Sequence, residues 1–310
     1  MSSVVEVSAP VSAALRSGAP VVALESTIIS HGLPRPGNLD AAREFEAILA
    51  GQGVTAATIA LVDGVARIGL TPDELERVAA DDSVVKVSSR DIAIAMARKA
   101  TGGTTVAATS VLAARAGIRV FATGGLGGVH RGASETFDES ADLTVLSRTP
   151  ITVVSAGVKS ILDIPATLER LETLGVAVVG YRTSRFPAFW LTDSGCDLDW
   201  RADSPEEIAD IMAAREAFAE PSALLVANPL PPSKQLDPEV LSGALEAALM
   251  AASRAGVRGK AVTPFLLDRI QQVTGGASVE VNLDIARGNI GLAGRIARSW
   301  SERSAVRVFP

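Results

Sequence analysis

Cysteine is nearly absent. Cys196 is the only one in 310 residues, so no disulfide can form within the chain, and a reducing compartment suits it. Histidine is almost as scarce. The two present, His31 and His130, cannot build an HExxH site or a histidine cage, and with one cysteine a structural zinc site is excluded. Any metal would be a hard cation on oxygen ligands. Aromatics are only 4% of the chain and the net charge is −6, so the basic face needed to bind a nucleic-acid backbone is missing. No apolar run is long enough to span a membrane. Met1 to Pro10 has neither the basic start nor the apolar centre of a secretory signal. These absences lead to the expectation of a soluble cytoplasmic protein that acts on a small molecule.

What is present is small and aliphatic. Apolar residues make up 47% of the chain, mostly Ala, Val, Leu and Ile, which suits helices packed on parallel strands. Val21–Glu25, Ala57–Val62, Val84–Val87 and Val120–Ala122 read as strands, as do Ile151–Ser155, Val176–Tyr181 and Ala223–Ala227. Helical patterns lie between them: Ser12–Ser17, a segment capped by Asn38 or Asp40 and running to about Gly51, Arg90–Lys99, Thr104–Ala116, and one starting near Pro165. Thr71-Pro72-Asp73-Glu74 is a helix start, with Thr as N-cap, Pro in the first position and acids in the first turn. Pro238–Ala255, Pro264–Thr274 and a last helix ending near Trp300 complete the chain. This alternation predicts a layered α/β architecture. With no linker, low-complexity tract or repeat, one domain over residues 1–310 is the simplest organisation. The first strand could continue through Ser26–Ser30, His31–Gly37 is a loop, and Phe186–Asp203 reads as a local loop or lid.

Three segments could carry chemistry. The glycine-rich run from Thr123 to Gly132 follows a strand, but His130 stands where a dinucleotide fingerprint needs its third glycine. A P-loop fails as well, because Arg254 occupies the glycine position before Gly259-Lys260. What remains is a flexible loop whose N–H groups could hold an anion, or simply a tight turn. Glu25 ends an apolar strand, where open α/β sheets bind ligands. It is either a general acid or base tuned by burial, or a carboxylate capping a loop or paired with an arginine. Lys159 follows a strand among small and apolar residues. It is either a neutral amine able to form a Schiff base, with Lys86 as the neighbouring cation, or a lysine snorkelling from a helix start. Asp138, Glu139 and Asp142 form a short acidic stretch that, taken alone, reads as a solvated turn.

In order along the chain, Ala23-Leu24-Glu25-Ser26-Thr27-Ile28-Ile29-Ser30-His31-Gly32, Lys86-Val87-Ser88-Ser89-Arg90-Asp91 and the run from Phe121 to Gly132 resemble the signatures of one family. Thr136-Phe137-Asp138-Glu139-Ser140-Ala141-Asp142-Leu143, Ser155-Ala156-Gly157-Val158-Lys159-Ser160-Ile161-Leu162-Asp163, Val226-Ala227-Asn228-Pro229 and Thr263-Pro264-Phe265-Leu266-Leu267 continue the match. The family is that of the pseudouridine-5′-phosphate glycosidases, also called indigoidine-synthase-A-like. The resemblance implies a three-layer α/β/α fold, a homotrimer and one manganese ion per subunit held by Asp138. It implies Glu25 as proton donor and Lys159 as nucleophile. Lys86, Val106, Ser140, Ala141 and Asp142 would contact the substrate, with Thr123, His130 and Asn282 also at the pocket.

The implied chemistry suits this residue set. In pseudouridine the ribose is joined to C5 of uracil, and carbon has no lone pair for an acid to protonate, so the usual two-carboxylate route is poorly matched. A neutral lysine could attack the anomeric carbon, open the ring and carry the sugar as an imine while uracil departs. Phosphate recognition is expected from Thr104–Val106 backbone and Ser88, with charge from Lys86 or Arg90. The competing expectations are a lysine-imine lyase acting on another sugar phosphate and a non-catalytic ligand-binding protein of the same pathway. A sugar kinase is disfavoured by the absence of a P-loop.

Overall fold

The computed structural model describes residues 4–306; of the N-terminal stretch read for a secretory signal, residues 1–3 lie outside it. Its strands are β1 (Val5–Val7), β2 (Val21–Leu24), β3 (Thr55–Val62), β4 (Val65–Ile68), β5 (Val85–Val87) and β6 (Gly102–Thr104). They continue with β7 (Val120–Ala122), β8 (Thr152–Ser155), β9 (Ala177–Tyr181), β10 (Arg201–Ala202) and β11 (Leu224–Ala227). The helices are α1 (Ala9–Ser17), α2 (Gly37–Ala50), α3 (Pro72–Ala80), α4 (Ile92–Ala97), α5 (Val106–Arg115) and α6 (Ala133–Thr136). After these come α7 (Ala141–Leu146), α8 (Ile164–Thr173), α9 (Pro205–Ala217), α10 (Pro238–Arg254), α11 (Val262–Val273) and α12 (Ala277–Val306).

The strands form one mixed, mostly parallel sheet in the order β1-β4-β3-β2-β7-β8-β11-β9-β10, with β6 and β5 branching from β3. Only β3 with β4 and β3 with β6 run antiparallel. Successive side chains of the central strands serve opposite faces, as a strand's period of two demands. Ala23, Phe121 and Val153 join one buried cluster with Leu112 of α5, Leu143 of α7 and Leu171 of α8. Val22, Leu24, Val120 and Val154 join the other with Phe45 of α2, Met212 of α9 and Ile290 of α12. Burial on both faces is why these strands read as unbroken apolar runs. The result is the expected α/β arrangement of a sheet between two helical layers. From β2 the chain crosses to β3 on one side; from β7 it crosses to β8 on the other. The β2/β7 boundary is therefore the switch point where open sheets form a crevice.

Several elements differ from expectation. The chain does not continue as a strand through Ser26–Ser30. Ser26, fully buried, donates to the Ile59 carbonyl at 2.6 Å and accepts from the Thr104 N–H at 2.9 Å. This pulls the chain out of the ladder into a π-helical turn at Ile28–Gly32. Asn38 does not cap α2: its amide ties the Ile29 and Ala79 carbonyls together at 2.8 and 2.9 Å. The helix read from Thr104 begins only at Val106, because Thr105 is its N-cap and Gly102–Thr104 pairs as β6. The 186–203 segment is no open lid, since Phe186, Phe189 and Trp190 are buried in the core.

Two missed elements had legible signals. Asp63-Gly64, with φ of 50° and 81°, is the positive-φ pair that turns β3 into β4. Ser204-Pro205-Glu206-Glu207 starts α9 with the same signature as Thr71-Pro72-Asp73-Glu74, whose capping box is formed. Among the described residues, no helix is long and apolar enough to cross a membrane.

Candidate active site

β2, β7 and β8 are adjacent and parallel, so the residues that follow them emerge at one carboxyl edge of the sheet. Glu25 follows β2, Thr123 to Gly125 follow β7, and Lys159 lies four residues beyond β8. The glycine-rich stretch is not the flexible loop expected. Its pairing with the chain after β8 continues: Thr123 N–H donates to the Val154 carbonyl, Ala156 N–H to Gly124, Leu126 N–H to Gly157 and Lys159 N–H to Leu126, all at 2.9 to 3.1 Å. Glycine is required at position 125 because a Cβ there would lie 2.6 Å from the Phe189 ring.

That extension holds two chemically distinct groups. The Thr123 hydroxyl donates to Glu25 Oε1 at 2.5 Å, and the Lys159 Nζ–H donates to the Gly125 carbonyl at 2.6 Å. Burial pushes the Glu25 carboxyl above the ordinary carboxylate range, opposed by Lys159, the Thr123 hydrogen bond and Lys86, and helped by Asp142. Glu25 keeps partial solvent contact only through the cavity; protein surrounds it otherwise, so desolvation dominates. A carboxyl whose hold on its proton is strengthened by burial, set beside a lysine, is the pairing that acid–base work at an amine requires.

Both groups line a cavity of about 400 Å³. Lys86, Val106, His130 and Asn282 lie on its wall, as do Asp138, Ser140, Ala141 and Asp142. Thr123 does not; it is buried behind Glu25. Ser88, Arg90 and Thr105, expected near a phosphate, also line it. Val106 opens α5, and the first N–H groups of a helix have no intrahelical acceptor. Asp142, 6% exposed, spends both oxygens on backbone: Oδ1 accepts from Ala107 N–H at 2.9 Å and Oδ2 from Gly127 N–H at 2.8 Å. The anion held by the glycine stretch is thus the protein's own carboxylate, which pins that stretch to the start of α5.

Both imidazoles are biased towards neutrality. Burial lowers His31, aided by Lys86 and Arg35. Burial and Lys86 lower His130, while Asp138 opposes them; His130 Nδ1 lies 3.9 Å from Asp138 Oδ2. No group of three or more His, Cys, Asp or Glu among the described residues is placed to cage a metal. Neighbouring Glu139 is engaged by Arg170 at 3.0 Å. The donor set around Asp138 therefore fits a hydrated hard cation held by one carboxylate, which completes its shell with water and substrate oxygens, and does not fit an all-protein cage.

Two polar groups of this architecture escaped the sequence reading. Asn289, 1% exposed, donates to the Thr123 and Gly124 carbonyls at 2.8 and 3.1 Å and accepts from Asn228 at 2.9 Å. Trp190 donates from Nε1 to Asn282 Oδ1 at 2.6 Å. A signal existed for the first. Asn282 and Asn289 are seven residues apart on α12, so they share a face with buried Ile285 and Ala286, and an amide on an apolar stripe needs buried partners.

The family described as "Indigoidine synthase A like protein" matches residues 10–299. A protein of Streptomyces griseus named pseudouridine-5′-phosphate glycosidase is 60% identical over 291 residues, covering 94% of this chain and 90% of its own. A Frankia alni protein of the same name is 58% identical over 297 residues, covering 96% of this chain and 82% of its own. The crystal structure of the prealnumycin C-glycosynthase AlnA in complex with ribulose 5-phosphate is similar, with a TM-score of 0.90 and 36% identity over 98% of this chain and 99% of that one. An indigoidine synthase A-like protein of Thermotoga maritima superposes with a TM-score of 0.88 at 35% identity, covering 96% of this chain and 97% of that one.

Proposed function

The chain belongs to the indigoidine synthase A like family, and we propose that it is a pseudouridine-5′-phosphate glycosidase, releasing uracil and ribose 5-phosphate from pseudouridine 5′-phosphate. The observation that carries this reading is identity of 58–60% over more than nine-tenths of the chain to proteins of that name. A buried carboxyl and a lysine facing one cavity support the mechanism.

In that mechanism the neutral amine of Lys159 attacks C1′ of the ribose. The C1′–O4′ bond breaks, and Glu25 delivers its proton to O4′. Glu25 then takes a proton from the new secondary ammonium. The nitrogen lone pair closes the C1′=N bond as the C1′–C5 bond breaks, and Glu25 returns the proton to C5 of uracil. Water adds to the imine as Glu25 takes one of its protons, the other passes to the nitrogen, and the C1′–N bond breaks to free the Lys159 amine and the aldehyde of ribose 5-phosphate, with Glu25 protonated again. Burial suits Glu25 to this shuttle because it raises the carboxyl's proton affinity above that of a solvated carboxylate. The Gly125 carbonyl holds the Lys159 nitrogen in place. Lys86, Arg90, Ser88 and the start of α5 bind the phosphate. Asp138 would hold a manganese ion, which would supply positive charge near the phosphate and sugar oxygens. The assembly is a cytoplasmic homotrimer, a reading that rests on the family resemblance.

The likeness to a C-glycosynthase favours one alternative, a bond-forming role on another sugar phosphate. Incubation with pseudouridine 5′-phosphate and manganese, borohydride trapping and intact-mass measurement separates the two. Uracil release with a ribose-phosphate adduct, lost in Lys159→Ala, is the expected result. A folded protein that releases no uracil would refute the proposed reaction. Uracil release by Lys159→Ala at the normal rate would leave the reaction standing and remove the lysine mechanism.

A further inference from the structure

We infer that Trp190 determines which aglycones this cavity accepts, by fixing the amide of Asn282 so that it presents hydrogen-bond donors to the ligand. This inference rests on the reading of the substrate as a pyrimidine C-nucleotide.

An asparagine amide is nearly symmetric in shape: a half-turn exchanges an acceptor oxygen for a two-donor nitrogen. An exposed Asn on a cavity wall can therefore serve either kind of partner and discriminates weakly. Trp190 removes that freedom. An indole Nε1–H can only donate, so the Asn282 atom 2.6 Å from it is the oxygen. The assignment follows from chemistry whichever way the amide is drawn.

The indole itself cannot turn to relax the constraint. Trp190 is 1% exposed, and its ring packs on Phe189 with centroids 5.2 Å apart. Its carbonyl accepts from Leu236 N–H at 3.1 Å and its own N–H meets Ser160 Oγ at 3.4 Å. Asn282 lines the cavity, and among the described residues its side chain has no polar partner besides Trp190. Its NH₂ group is therefore the group left to meet a ligand beside Phe189.

A donor there requires an acceptor opposite. Uracil carries two ring carbonyls, whereas an analogue with an amino group in place of one carbonyl oxygen sets donor against donor. A buried polar group left facing a like partner is rejected by roughly 10- to 100-fold.

The test compares kcat/KM for pseudouridine 5′-phosphate with that for each of its two amino analogues, in wild type, Trp190→Phe and Asn282→Asp. The wild type should disfavour at least one analogue by about 10- to 100-fold. Trp190→Phe frees the amide to turn, and that ratio should fall to within about threefold. Asn282→Asp keeps an oxygen for the indole but presents a second oxygen to the ligand, so the preference should move towards the amino analogue. A ratio is measured within one preparation, so partial unfolding of Trp190→Phe cancels.

Equal loss on all substrates in Trp190→Phe, with the wild-type ratio kept, would overturn the inference. A wild type indifferent to the amino group would overturn it too. If the wild type released no base from any of the three, the proposed reaction would fall instead. Calorimetric binding of free uracil and cytosine would then decide the matter, with Trp190→Phe expected to erase a preference for uracil and a retained preference counting against it.

Discussion

Asn289→Ala is the most informative single perturbation, because this residue lies behind the cavity wall and yet supports both reacting groups. Its removal strips the Thr123 carbonyl of the only hydrogen bond it receives from a described residue, and strips the Asn228 amide of its acceptor. The Gly124 carbonyl keeps its bond from Ala156 N–H. One buried carbonyl is left unsatisfied at about 1–3 kcal/mol, and the half-buried Asn228 amide adds about 1 kcal/mol at most, for a loss of about 1–4 kcal/mol. A water in the vacated space would bring the result towards the lower end. Against a typical stability of about 5–15 kcal/mol, that is severe but survivable. The effect on rate follows from the same peptides, which carry the Thr123 hydroxyl on Glu25 and the Gly125 carbonyl on Lys159. A displacement of about 1 Å there would lower turnover on the order of 10²-fold. Asn228→Ala removes one bond but leaves both carbonyl contacts, so about 1 kcal/mol and a near-normal rate are expected. Because both substitutions delete the same Asn228–Asn289 bond, the double variant should fall short of additivity by about 1 kcal/mol. Urea unfolding and single-turnover uracil release measure the two quantities. An Asn289→Ala protein within about 0.5 kcal/mol of wild type, or turning over within about threefold of it, would refute the clamp argument.

Other consequences can be checked alongside it. Thr123→Val removes a hydrogen bond that lowers the Glu25 value, so the carboxyl stays protonated to higher pH and the alkaline limb of kcat assigned to it should move upward; an unmoved limb would exclude Glu25 as its source. The raised folded-state value also means that Glu25 favours folding below its unfolded value and loses that contribution as pH rises through the folded one. Gly125→Ala drives a Cβ to 2.6 and 2.8 Å from two Phe189 ring atoms and should cost about 1–3 kcal/mol in thermal unfolding, with a larger loss of turnover as Lys159 shifts. Thr71→Ala breaks the α3 capping box and should cost about 1 kcal/mol while leaving turnover per folded molecule unchanged. Asp138→Asn should weaken manganese binding, measured by calorimetry without substrate, by about tenfold or more.

Some of this was legible residue by residue. Glu25 and Lys159 each follow an apolar strand, and in parallel sheets strand ends are where ligands bind, so their positions alone drew attention. The Thr71 cap was readable because capping is local and uses a fixed spacing. Asp63-Gly64, which marks the end of a strand, and Ser204-Pro205 are equally local signals, but the hairpin made by the first and the helix started by the second were passed over. The 186–203 segment is legible as a loop up to β10 but not as part of the core, because three large aromatics in it are buried by elements that arrive from elsewhere in the chain.

The sequence by itself determined the layered α/β class, through apolar runs buried on both faces, and the choice of chemically able groups at the strand ends. Its scarcity of cysteine and histidine also set the kind of metal site that could exist. Only the tertiary structure decided that Thr123 serves Glu25, that Asp142 spends both oxygens on backbone, and that Asn289 and Trp190 aim the site's peptides and its amide. The reason is physical. Propensity and periodicity act over a few residues, whereas these bonds join groups from 15 to 166 positions apart, and such pairs meet only once the order of strands in the sheet has brought them together.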